Sequence, residues 1–264
     1  MEHEALIRLS IFLGLFALLA AVETLAPRRR RVEPRGTRWV TNWVIVILDT
    51  LTLRALALAL PLLAVGAAVD AQAQGWGLIN ALDLPLWLAV LVTIVIFDFA
   101  IWAQHLITHK VPFLWRFHRV HHADRDIDVT TAIRFHPVEI AFSMLLKIGL
   151  VYLLGPPALG IILFEIILNG TAMFNHANIR LPLWADAMLR RVIVTPDMHR
   201  VHHSVDRAEH DSNYGFALSI WDRLFGTYIP QPEGGHEEMT IGLEWQDGRP
   251  SRLGWSLALP FRRK

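Results

Sequence analysis

Ten of the thirteen histidines lie between His105 and His203. His105 and His109 form H-x-x-x-H. His118, His121 and His122 form H-x-x-H-H inside "RFHRVHHA", Arg116 to Ala123, and His199, His202 and His203 repeat it inside "DMHRVHHS", Asp197 to Ser204. His136 precedes Pro137, and His176 stands in "FNHANI". On a helix, positions i, i+3 and i+4 share a face, so each pentad projects three imidazoles one way and H-x-x-x-H projects two. Neutral imidazole is the commonest protein ligand for Zn, Fe, Cu and Ni, and this spacing is ligand geometry.

With this histidine content, one H-x-x-H-H arises by chance roughly 0.03 times per chain, so two copies make chance a poor account. A basic patch is a weaker explanation. Arg116, Arg119 and Arg200 accompany the pentads, but neutral histidine adds little charge and lipid anchoring needs Lys or Arg. The eight histidines of the pentads and H-x-x-x-H are therefore read as metal ligands. His136 and His176 are further candidates, the alternative being a hydrogen-bonded or helix-end histidine. His3, His210 and His236 are read as surface residues. Eight or more imidazoles exceed what one ion accepts, so two ions are implied.

Carboxylates contribute less. The one E-x-x-H runs from Glu233 to His236 in a Gly-Gly loop, and H-E-x-x-H is absent, which argues against a zinc protease of that type. Asp98, Asp124, Asp126, Asp128, Asp197, Asp206 and Asp211 lie near the histidines and are positioned either to orient imidazole N–H groups or to cap helices. The chain has no cysteine, which excludes disulfide frameworks, thiolate metal sites and cysteine nucleophiles. A net charge of +1 gives no case for nucleic acid.

The elements that carry these residues are apolar. Hydrophobic residues make up 53% of the 264 and the mean hydropathy is +0.37, too high for an ordinary soluble protein. Spans are expected at about 5–25, 39–68, 84–104, 138–154 and 157–174, the last two being arms of a hairpin broken at Gly155-Pro156-Pro157. The first lacks the basic n-region and small-residue cleavage site of a signal peptide and is read as retained. The fold class expected is all-α: a membrane bundle of about four spans, the last a broken hairpin, with a helical cap at about 105–137 and 175–264. The whole of 1–264 is read as one integral-membrane catalytic domain. Arginines crowd the first connection (Arg28, Arg29, Arg30, Arg31, Arg35, Arg38), whereas Asp70 to Asp83 carries two acids and no Lys or Arg. The positive-inside rule then places the first connection, both pentads and the C-terminus in the cytoplasm. Anchoring to anionic lipid is the expected use of these arginines.

The pattern resembles the fatty acid hydroxylase / sterol desaturase superfamily of integral-membrane, non-haem di-iron oxygenases. The resemblance rests on H-x-x-x-H at His105 and His109, "WRFHRVHH" from Trp115, "RFHPVE" from Arg134 to Glu139, "NHAN" from Asn175, "HRVHHS" from His199 and "NYGFALSIWDRLFGTY" from Asn213 to Tyr228. It covers about residues 40 to 230 in order and spacing. It implies two iron ions held by histidines of stem and cap, with zinc a possible substitute. The activity implied is O2-dependent attack on a C–H bond of a membrane lipid such as a fatty acyl chain or sterol/isoprenoid, by hydroxylation or desaturation. The family's fused cytochrome b5-like domain is not found here. A separate electron donor of ferredoxin, cytochrome b5 or reductase type is therefore expected. Breaking such a bond is chemistry that no side chain supplies, which agrees with a metal and O2.

Two other readings compete. A membrane dinuclear metallohydrolase would use the same imidazoles to activate water. A metal transporter would place histidines or acids along a midplane path, whereas these clusters follow span ends. Asp49, Arg54 and Asp98 inside spans are read as mutual partners or an access route. Phe113, Trp115, Phe117, Phe135, Phe142 and Phe174 are either channel lining or packing.

Overall fold

In the computed structural model, residues 3–60 and 63–262 are described. Five helices dominate: α1 (Glu4–Leu25), α2 (Arg35–Ala59), α5 (Leu86–Lys110), α7 (Pro137–Leu154) and α8 (Ala158–His176). Between α2 and α5 lie α3 (Ala64–Gln74) and the single turn α4 (Leu78–Ala81). At 1.5 Å per residue, helices of 18 to 25 residues reach about 27 to 37 Å, enough to cross a bilayer core of about 30 Å. Leu6, Leu9, Leu13 and Leu18 of α1, and Leu51 and Leu58 of α2, face outward. Such a surface is favourable only against hydrocarbon. The protein is an all-helical bundle that suits a membrane.

The expected second span, 39–68, breaks in two. Leu60 is extended (φ −118°, ψ 106°), as the residue before a proline tends to be; Pro61 and Leu62, inside that expected span, lie outside the described residues. α3 then packs Ala64, Ala67, Ala68 and Ala71 against α7 and α8, the small-residue contact that lets helix backbones approach in lipid. The expected break between α7 and α8 is present: Gly155 is left-handed (φ 61°). Its backbone touches Gly77, where a Cβ would fall 2.1 Å from the Gly155 nitrogen. Only glycine serves at that crossing.

The remaining helices are short and gather at one end of the bundle: α6 (Pro112–His122), α9 (Leu183–Leu189), α10 (Pro196–His202), α11 (Arg207–His210), α12 (Ile220–Leu224), α13 (Gly235–Glu238) and α14 (Leu253–Ala258). Among the described residues no strand forms, only three isolated bridges. The first connection lies at this same end, bridging Pro27 to Ile179. All but the exposed Arg30 bind protein, which corrects the expectation of lipid anchoring for those arginines. Arg28 pairs with Asp197 (3.3 Å) and Glu237 (2.8 Å). Arg29 donates to the carbonyls of His236 and Met239, both at 2.6 Å. Arg38, fully buried, pairs with Asp124 at 2.7 and 2.8 Å and with Asp128 at 2.7 Å. Despite burial, Arg38 holds Asp128 down at about 2. These pairs tie α2 to the loop that follows the first pentad.

Candidate metal centre

α5 carries His105 and His109 and runs directly into α6, which Pro112 opens at its first turn. α6 carries the first pentad, α8 ends on His176, and α10 carries the second pentad. α10 is started by Thr195, whose Oγ1 accepts from Met198 N (3.4 Å), followed by Pro196. The nine histidines on these elements form two buried groups, in each of which one nitrogen per residue lies within 4.8 Å of the others. The first holds His105, His109, His118, His122 and His202; the second holds His121, His176, His199 and His203. Each pentad feeds both. The i, i+4 pair His118 and His122 joins His202, while the corresponding pair His199 and His203 joins His121.

The hydrogen bonds at the far sides of the rings fix which nitrogen faces inward. Nδ1 of His105 lies 2.7 Å from the Tyr214 carbonyl, that of His202 2.6 Å from the Ser212 carbonyl, and that of His176 2.7 Å from the Ala172 carbonyl. A carbonyl only accepts, so each Nδ1 carries the hydrogen and each Nε2 presents a lone pair. His118 does the same toward the Glu139 carboxylate at 2.7 Å. Yet Nε2 of His105 stands 3.0 Å from Nε2 of both His118 and His202. Three lone pairs this close repel unless a cation lies between them. In the second group, Nε2 of His176 is 3.1 Å from Nε2 of both His121 and His199. At metal–nitrogen bonds of about 2.1 Å, neighbouring ligands of an octahedron are about 3.0 Å apart. The donor set therefore fits a metal in each group.

Outside the spans, burial first and neighbouring imidazoles second keep His121, His122, His199, His202 and His203 well below the usual histidine range. They are neutral, as ligands must be.

The carbonyls that hold His105 and His202 come from the loop between α11 and α12. Asn213 adopts φ 47° there, and its amide donates to the carbonyls of Met198 (2.9 Å) and Ile229 (2.8 Å). A Cβ on Gly215 would lie 2.8 Å from Val194 Cγ2 and 3.0 Å from Asp222 Oδ2. Asp222 accepts from the backbone of Tyr214 and Gly215, both at 2.8 Å, and from Trp102 Nε1 at 3.0 Å. The positions in "NYG" are thus dictated by the support of His105.

Other predicted residues stand elsewhere. His136 lies outside both groups: it caps α7, its Nδ1 accepting from Val138 N (3.2 Å) and its Nε2 donating to Leu257 O (3.3 Å). Both ring nitrogens are occupied, matching the helix-end alternative. His3 is exposed. His210 and His236 are buried, which corrects their reading as surface residues. His210 stacks on Trp115 (5.4 Å) and forms a third group with His109 and Asp211. His236 lies 3.6 Å from Asp197, and burial pushes it down to about 4. Glu139, which is not among the residues expected from the sequence to serve the site, stands three residues after His136 in the first turn of α7.

A cavity of about 370 Å³ opens between α1, α2, α5, α7 and α8 and reaches His105 and His118. Of the six aromatic candidates, Phe135 lines it and also stacks on His121 at 4.4 Å. Phe113 and Phe142 are exposed.

A family model described as fatty acid hydroxylase matches residues 90–227, more than half of the chain. The chain belongs to the fatty acid hydroxylase family. Both histidine groups and the "NYG" loop fall inside the matched residues. Among individual proteins, it is 31% identical over 180 residues to an ornithine lipid hydroxylase of Rhizobium tropici, covering 68% of this chain and 52% of that protein. It is 30% identical over 141 residues to an alkylglycerol monooxygenase of Xenopus tropicalis, covering 52% of this chain and 29% of that protein. A cholesterol 25-hydroxylase-like protein of Danio rerio is 30% identical over 140 residues, covering 51% of this chain and 53% of that protein. The match thus spans about half or less of these relatives' own lengths. No solved structure matches. By their names these family relatives are lipid hydroxylases and monooxygenases, that is, oxidoreductases.

Proposed function

We propose that this protein is an O2-dependent hydroxylase or desaturase of a membrane lipid, working through two iron ions held by the nine clustered histidines. The observation that carries the reading is the convergence of inward-facing Nε2 lone pairs in two adjacent groups beside a cavity within the bundle. His105, His109, His118, His122 and His202 would hold one ion; His121, His176, His199 and His203 the other. The pair would supply the activation of O2 that side chains lack. The chain's own contribution is orientation and exclusion of water. The Tyr214, Ser212 and Ala172 carbonyls and Glu139 fix the rings, Phe135 braces His121, and the cavity brings a lipid to His105 and His118 from within the bilayer. We read residues 1–264 as one catalytic unit with its cap in the cytoplasm, on the arginine distribution.

A second cleft of about 420 Å³, on the cap side, reaches His109 past Trp115 and His210. Lys110, Arg116, Arg119, Arg207 and Arg262 line it against the single acid Glu244. This supports docking of a separate, acidic electron donor there, since charge complementarity steers association.

The test is mass spectrometry of lipids from cells with and without the protein, grown under labelled O2. A lipid that gains label from O2, or loses two hydrogens only when the protein is present, supports the reading. Product oxygen drawn from water would favour the dinuclear hydrolase instead.

A further inference from the structure

The cavity beside the centre is not the apolar tube that an acyl chain alone would ask for. Asp49 of α2 and Glu139 of α7 both line it, and they are 5% and 8% exposed. Asp49 Oδ1 and Glu139 Oε2 are buried with no hydrogen-bond partner among the described residues. The available cations are engaged or turned away. Lys147, which also lines the cavity, binds Glu165 at 2.8 Å, and Glu165 also pairs with Arg8. Arg54 is exposed, so it does not pair with Asp49. Asp98 instead accepts from Trp221 Nε1 at 2.8 Å.

An unpaired carboxylate within a span is costly, and acids there mark a ligand or ion route. Asp49 Oδ1 and Glu139 Oε2 thus lack donors, while Glu139 Oε1 already takes the His118 N–H. An ammonium group has three donors and no acceptor; a hydroxyl has one donor. We propose that Asp49 and Glu139 bind the primary ammonium group of an aminolipid, which makes Asp49 the residue that selects substrate charge. Glu139 lies inside the residues matched to the family and Asp49 lies before them. The inference rests on the lipid-oxygenase reading for what happens to the bound lipid, but not for the binding itself.

The test is equilibrium binding of radiolabelled dodecylamine and dodecanol to the purified, iron-loaded full chain in maltoside micelles at pH 7. The wild type is expected to prefer the amine by about tenfold or more, about 1.4 kcal/mol. Asp49→Asn should bring the ratio near one, and Asp49→Glu should keep it; bound iron should be unchanged in both. Equal affinity of the wild type for the two probes overturns the proposal, whatever the variants do. So does an amine preference that survives in a folded, iron-replete Asp49→Asn. A chain that prefers the amine yet neither incorporates oxygen from O2 into a lipid nor removes two hydrogens from one would refute the lipid-oxidation reading and leave the amine site standing. One that oxygenates lipids but binds both probes alike would refute the amine site alone.

Discussion

Glu139 offers a direct handle on one metal without touching a ligand. Its Oε1 accepts the His118 N–H at 2.7 Å in a buried setting, a charge-assisted bond worth about 1.5–3 kcal/mol. At 1.36 kcal/mol per decade this corresponds to roughly 10- to 150-fold in affinity, close to the 10- to 100-fold typical when a carboxylate behind a ligating histidine is lost. Glu139→Leu removes the acceptor and leaves a buried N–H unpaired. Glu139→Gln keeps an acceptor and loses only the charge, so its effect should be smaller, about tenfold. The assay is iron retention against a chelator series at fixed pH, without lipid. His176, in the other group, is held by the Ala172 carbonyl and not by Glu139. One iron of the pair should therefore weaken while the other keeps its affinity. Wild-type retention of both ions in Glu139→Leu would refute the assigned orientation of His118.

Replacing His121 or His202 by Ala should abolish turnover and lower bound iron, whereas His3→Ala should change neither; oxygen uptake and metal analysis decide both. Arg38→Met strands Asp124 and Asp128 without their buried partner and should cost about 3–5 kcal/mol, read as a lowered melting temperature in detergent. His236 has its folded pKa at about 4, below its unfolded value of 6.5. Burying it neutral therefore favours folding above pH 6.5, and that contribution is lost as pH falls toward 4. His236→Gln should flatten the decline in melting temperature across that window while leaving iron content unchanged. Arg116→Glu with Arg207→Glu should slow reduction by an acidic donor and weaken its dependence on ionic strength.

The convergence of the histidines was largely legible because helical spacing alone puts three imidazoles on one face. Their division into two groups was not. Spacing says that His118, His121 and His122 point one way, but only the packing of α6 against its neighbours sends His121 to a different histidine group from His118 and His122. His136 shows the opposite limit. Its type and its place among the motifs suit a ligand, yet Pro137 starts a helix directly after it; capping that helix engages Nδ1 and the Leu257 carbonyl engages Nε2. Arg28 and Arg38 read as a lipid anchor because their partners, Asp124, Asp128, Asp197 and Glu237, lie at least 86 residues away in sequence. The break at Leu60 was signalled by Pro61, whereas the burial of His210 and His236 had no local signal at all.

On this reading two imidazole-bound iron ions occupy adjacent groups shared by both pentads. Its most direct measurement is iron per chain, with Mössbauer spectroscopy, on the wild type and on His118→Ala and His199→Ala separately. About two iron ions are expected in the wild type, with selective loss from a different site in each variant. A single iron per chain, or loss of the same signal in both variants, would contradict it.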